Sequence, residues 1–97
     1  MSSALATPTR PVVDPLRFSA SDVTGLHTLD FDGVDGHRLT SDVAMSVAEM
    51  MQLPTNVPYA IRDDESARML AEDVALGSQI NPGARLVVIP KVHLGSL

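Results

Sequence analysis

A chain of 97 residues, 44% hydrophobic and 20% charged, has room for one domain built on a single core. Twelve acidic against seven basic residues leave a formal charge of −5, which disfavours any role that neutralises phosphates, and no apolar run nears the roughly 18 residues of a membrane span. Neither nucleic acid nor membrane is therefore expected as a partner, and the absence of cysteine removes disulfides, thiolate metal ligands and thiol nucleophiles.

The first stretch, residues 1–14, mixes small residues with Pro8 and Pro11 and follows neither a helical nor a strand period, so it reads as a disordered arm. It lacks the basic start and apolar stretch of a secretory signal, and a cytoplasmic protein is the expectation. From Leu16 the pattern changes. Leu16 and Phe18 alternate with Arg17 and Ser19, Thr24-Gly25 breaks the run, and Leu26, Thr28 (or Leu29) and Phe31 stand among polar residues, which predicts a β-hairpin, with a bulge if Leu26, Leu29 and Phe31 are to share a face.

The turn-rich Asp32-Gly33-Val34-Asp35-Gly36 leads to Thr40-Ser41-Asp42, a hydroxyl N-cap followed by a first-turn carboxylate, and predicts a helix from there to about Gln52. Val43, Val47, Met50 and Met51 fall on one stripe, with Ser46 and Glu49 turned away, so the helix should lie on a sheet. Pro54 and Pro58 bracket a turn. Tyr59-Ala60-Ile61-Arg62 reads as a strand, Asp63 to Ser66 as its turn, and Ala67-Arg68-Met69-Leu70 as a returning strand, with Met69 filling core. Leu76 and Ile80 are anchors around a short helical turn near Gly77. Asn81-Pro82-Gly83 then turns the chain into a last strand, Arg85-Leu86-Val87-Val88-Ile89, which Pro90 stops because it lacks the amide needed to continue a central ladder.

This order of elements resembles the β-grasp fold of ubiquitin-like proteins over roughly residues 15 to 95. Pro54 and Pro58 stand where such proteins make their post-helix turn, Leu70-Ala71-Glu72-Asp73 resembles the leucine-plus-acidic step before a meandering loop, and Val74, Leu76 and Ile80 resemble that loop's buried anchors. Arg85 to Leu94 looks like the family's final strand and basic tail. The resemblance implies an α+β chain in three parts: arm 1–14, a ubiquitin-like β-grasp domain 15–90 with a mixed four- to five-stranded sheet packed on one helix, and a flexible tail 91–97.

The chain also resembles bacterial ubiquitin-like modifiers, which further implies a modifier joined to its target through Gly95. Ubiquitin and its near relatives end, once processed, in double glycine. Here Leu94 precedes Gly95, and Ser96-Leu97 follow, so a peptidase of the zinc isopeptidase kind would first remove Ser96 and Leu97. Chemistry favours glycine at that point: activation of a carboxyl end as an acyl-adenylate and transfer to an enzyme thiol require the tail to thread a narrow channel, and glycine has no Cβ to obstruct it. Lys91, His93 and Leu94 would be the partner-binding tail, and the implied partners are an activating enzyme, a conjugating enzyme, the isopeptidase and a target protein.

If Leu86 and Val88 face the helix, Val87 and Ile89 face outward and could join Ala60 as an apolar docking patch. That patch supports a different reading, a non-covalent interaction module, and a sulfur carrier activated as a terminal thiocarboxylate is a third. Catalysis by this chain is not expected. His27, His37 and His93 lack ligand spacing, Asp30, Asp32 and Asp35 lack the calcium-loop pattern, and no Gly-rich phosphate loop occurs, so neither metal nor cofactor is expected.

Overall fold

The computed structural model describes residues 11–93. Five strands and one helix follow in the order β1 (Leu16–Asp22), β2 (Thr28–Val34), α1 (Thr40–Met50), β3 (Tyr59–Asp63), β4 (Arg68–Met69) and β5 (Ala84–Pro90), with single 3-10 turns at Leu76–Ser78 and Lys91–His93. They form one mixed five-stranded sheet in the order β2-β1-β5-β3-β4, with β5 parallel to β1 and antiparallel to β3. β5 lies at the centre of the sheet, and the four residues of its apolar run, Leu86 to Ile89, are all buried. It runs on through Pro90, opposite Tyr59, one residue beyond the predicted stop. Proline is tolerated there because the ladder ends with it.

Helix α1 buries Thr40, Val43, Ala44, Val47 and Ala48, followed by Met51 at its C-terminal cap, against the inner face of the sheet. The stripe is centred between Val47 and Ala44, with Val43 at one edge and Ala48 at the other. Met50, predicted on the stripe, lies about 90° round the helix from its middle and is 63% exposed. The expected hydroxyl cap is also absent. Leu39 occupies the cap position without a side-chain bond, and Thr40 turns inward, donating its hydroxyl to the Val74 carbonyl at 2.9 Å and accepting from Gln79 Nε2 at 2.7 Å. At the other end the Leu53 amide bonds the Ala48 carbonyl and the Gln52 amide the Glu49 carbonyl, which places Gln52 at the left-handed position usually given to glycine, φ 61°.

The β1–β2 hairpin carries its bulge at Gly33, whose φ of +76° lets Leu29, Phe31 and Val34 all pack on the core. Leu26 belongs to the turn and is 83% exposed, so it needs no place on that face. Met69, expected as core, is exposed on a two-residue β4, and Leu70 anchors that segment instead. Val74, expected as a buried anchor, is exposed as well: its backbone carbonyl serves Thr40 while its side chain faces water. Leu76 and Ile80 are buried as expected.

Most of the arm lies outside the described residues, but its last residues are fixed. Val13 donates its amide to the Gly77 carbonyl at 3.0 Å, and Asp14 Oδ1 accepts the Gly36 amide at 3.0 Å. Gly36 and Gly77 are themselves joined, N–H to carbonyl, at 2.8 Å, and a Cβ on either would meet the Val13 carbonyl oxygen at 1.8 or 2.4 Å. Those two glycines are what let the chain pass. No helix among the described residues is long and apolar enough to cross a membrane.

Candidate functional site

Because β1 and β5 run parallel, the chain enters the sheet at one end and leaves it at the other. At the exit, β5 passes into the Lys91–His93 turn, where the Lys91 amide donates to the Pro58 carbonyl at 2.9 Å and the Lys91 ammonium pairs with Glu72. Beside this turn the space between the sheet and the loop that follows α1 is left open. A notch of about 420 Å³ lies among Val23, Leu53, Val57, Tyr59, Val88 and Val92. Its floor is core, since Val88 and Tyr59 are buried, while Val23 and Val92 at its rim are 48% and 60% exposed. Tyr59 holds the loop that forms one wall by donating its hydroxyl to the Pro54 carbonyl at 2.6 Å.

The hairpin turn at the same end is fixed by Asp22, a buried carboxylate on the core face of β1. It accepts the Thr24 hydroxyl at 2.8 Å, and His27 Nδ1 lies 2.9 Å from its other oxygen. Burial raises the carboxyl's pKa, but the hydrogen bonds of His27 and Thr24 outweigh it and hold the group down to about 2. The ionised Asp22 can accept from His27 Nδ1, and the imidazole is otherwise half exposed. At the opposite end His37 Nδ1 sits 3.2 Å from Asp35 and 3.7 Å from Asp14, an exposed cluster that ties the arm to the turn before α1. Hydrogen bonding by the His37 amide holds the Asp35 carboxyl below its ordinary range.

On the outer face of the sheet, cross-strand pairing sets Ala60 beside Ile89 and Arg62 beside Val87. Ala60, Val87 and Ile89 thus share a face away from the helix, but they are only 5%, 9% and 7% exposed. Arg62 Nε is buried there and has no partner among the described residues.

No protein-family model and no curated protein matches this chain. Solved structures do. The ubiquitin of Caldiarchaeum subterraneum superposes with a TM-score of 0.62 at 19% identity, covering 77% of this chain and 91% of that one. A ubiquitin-like domain from an Arabidopsis thaliana protein gives 0.60 at 16%, covering 94% and 93%. The fold is a ubiquitin-like β-grasp. A chain from the toluene 4-monooxygenase HD complex with the inhibitor 4-bromobenzoate superposes equally well, 0.62 at 19% identity, over 77% of this chain and 96% of that one, so the ubiquitin-like fold by itself does not choose an activity.

Of the residues singled out in the sequence of this ubiquitin-like chain, Leu94, Gly95 and Ser96 lie outside the described residues, and of His93 only the backbone turn is described. Lys91 stands at the tail's base, paired with Glu72. The notch was not foreseen. Its rim residues are single apolar side chains in loops, Val23 after β1 and Val57 between two prolines, and only the fold gathers them around the exit of β5.

Proposed function

We propose that this ubiquitin-like protein is a modifier whose C-terminal segment is joined to a target after processing. The observation that carries the reading is that the central strand of a ubiquitin-like sheet delivers Lys91 and the residues after it to one end of the domain, past an apolar notch that a processing or activating enzyme could grip. In this reading a peptidase adds water across the Gly95–Ser96 bond and releases Ser96-Leu97. The Gly95 carboxylate then attacks the α-phosphorus of ATP on an activating enzyme, releasing pyrophosphate. An enzyme thiolate displaces AMP to give a thioester, and a target amine displaces the thiol to give an amide. Each bonded partner is supplied by another protein, and this chain supplies the acyl group.

Intact-mass analysis after incubation with a candidate peptidase, activating enzyme and ATP tests the scheme. Loss of Ser96-Leu97 followed by an adduct at Gly95 supports it, and Gly95→Glu should abolish the adduct while leaving the unfolding midpoint unchanged. Conjugates that persist in that variant would remove Gly95 from the mechanism, whereas a terminal thiocarboxylate would point to a sulfur carrier.

A non-covalent docking role is favoured by one observation, the unpartnered Arg62 Nε beside Ala60, Val87 and Ile89, a buried donor that a partner's carbonyl or carboxylate could satisfy. The small exposed area of the three apolar residues means that such a partner would be held chiefly through Arg62. Arg62→Gln should then weaken its capture with little effect on folding.

A further inference from the structure

We infer that Glu72 withholds Lys91 from acyl transfer, so that this chain donates its carboxyl end but accepts no second copy, and each target amine carries one. The inference rests on the modifier reading and deepens it by naming the acceptor that is left: an amine of another protein.

A protein that is joined to amines brings further acceptors with it, because every ε-amine it carries can take the next copy. Its seven basic side chains are six arginines and Lys91, which is thus the single ε-amine of these 97 residues. A guanidinium stays charged and offers no free lone pair. Any copy-to-copy amide on a side chain must therefore form at Lys91.

That amine is engaged elsewhere. Its ammonium pairs with Glu72, and both partners grow from fixed backbone, since the Lys91 amide donates to the Pro58 carbonyl at 2.9 Å and the Glu72 carbonyl accepts the Ser41 amide at 3.1 Å. The ordering of two loose side chains is part of what makes most exposed ion pairs weak, and anchored backbones lower that cost. To displace an enzyme thiol from a thioester the nitrogen needs a free lone pair, so Lys91 must first leave Glu72 and give up a proton.

Position adds to the effect. Gly95 is four residues beyond Lys91, so a chain joined to a target there keeps Lys91 within about 14 Å of the junction, at up to roughly 3.5 Å per residue. The domain's own radius of gyration is 13.7 Å. A second copy would have to enter between the first and its target to reach the amine.

The test acetylates the full-length chain with the N-hydroxysuccinimide ester of acetic acid, the amine displacing N-hydroxysuccinimide, and reads Lys91 by peptide mass against Nα-acetyl-lysine amide in the same tube. Glu72→Gln should raise the Lys91 rate roughly three- to fivefold, Glu72→Asp should fall between, and sodium chloride at about 1 M should bring the parent close to the Gln variant. Equal rates in the parent and Glu72→Gln overturn the inference. Incubation with a candidate peptidase, activating enzyme and ATP supplies the second arm: adducts should be unchanged by Lys91→Arg, and a branched peptide joining Gly95 to Lys91 Nζ overturns the inference as well. An absence of any adduct would sink the modifier reading alone, because the acetylation rates do not depend on it.

Discussion

The two ends of the sheet are finished in opposite ways. Where the chain enters, Val13 and Asp14 lie across the hydrogen-bonded pair Gly36 and Gly77, Val13 donating its amide to the Gly77 carbonyl and the Asp14 carboxylate accepting the Gly36 amide, with no space for an added carbon on either glycine. Where it leaves, a gap between the sheet and the loop that follows α1 is edged with valines and left open. Close packing against glycine serves to hold one conformation, since any added volume there is opposed by backbone. An open apolar edge gives up that stabilisation and leaves surface that something else can cover. The contrast gives the entry end a structural duty and leaves the exit end as the one that the proposed function uses for partners.

The contrast breaks most sharply at the glycines. Gly36→Ala or Gly77→Ala should cost about 2–3 kcal/mol in urea unfolding, because the new methyl meets the Val13 carbonyl rather than a yielding side chain. Deleting residues 1–14 should recover much of that loss in the alanine variant, and a purely additive result would show that the arm is not what the glycines accommodate.

At the exit end, the Asp22 interactions should contribute about 1 kcal/mol, reduced from what the pKa of about 2 would imply because His27 is half exposed and water screens the pair. The folded-state pKa lies below the ordinary 3.8, so this contribution is complete above pH 3.8 and is lost as the pH falls through about 2. Asp22→Asn should remove it at neutral pH and flatten the acid limb of the stability profile, read by denaturation at pH 7, 4 and 2. Gln52→Gly should move stability the other way, by roughly 0.5–1 kcal/mol, since only the left-handed backbone at that position is relieved. Smallest of all, Val92→Asp on the exposed rim should change stability by less than about 0.5 kcal/mol. A larger loss would mean that the notch is already sealed by this side chain and that the two ends are not so different.

Local pattern made much of this architecture readable. Alternation marked β1, the apolar run marked β5, and proline and glycine marked the turns around Pro54, Pro58 and Gly83. The helix stripe was placed one side too far because methionines were weighed and alanines were not: Ala44 and Ala48 pack inward through being small, which a hydrophobicity count undervalues. By sequence alone, the run Leu86 to Ile89 has one outward face that could serve for docking. Its central position, with Arg62 and Ser21 flanking Val87, leaves those side chains little exposed. What the sequence could not supply are the meetings between distant segments. Gly36 and Gly77 share a neighbour in Val13, and Val23, Val57 and Val92 share a notch, but no periodicity connects them.

The threading of Val13 also fixes where anything attached ahead of it must begin. Since β5 is seven residues long, its far end is roughly 20 Å from that point. An affinity handle, a fluorophore or another folded unit fused upstream would therefore join the described domain at the end of the sheet remote from the Lys91 turn.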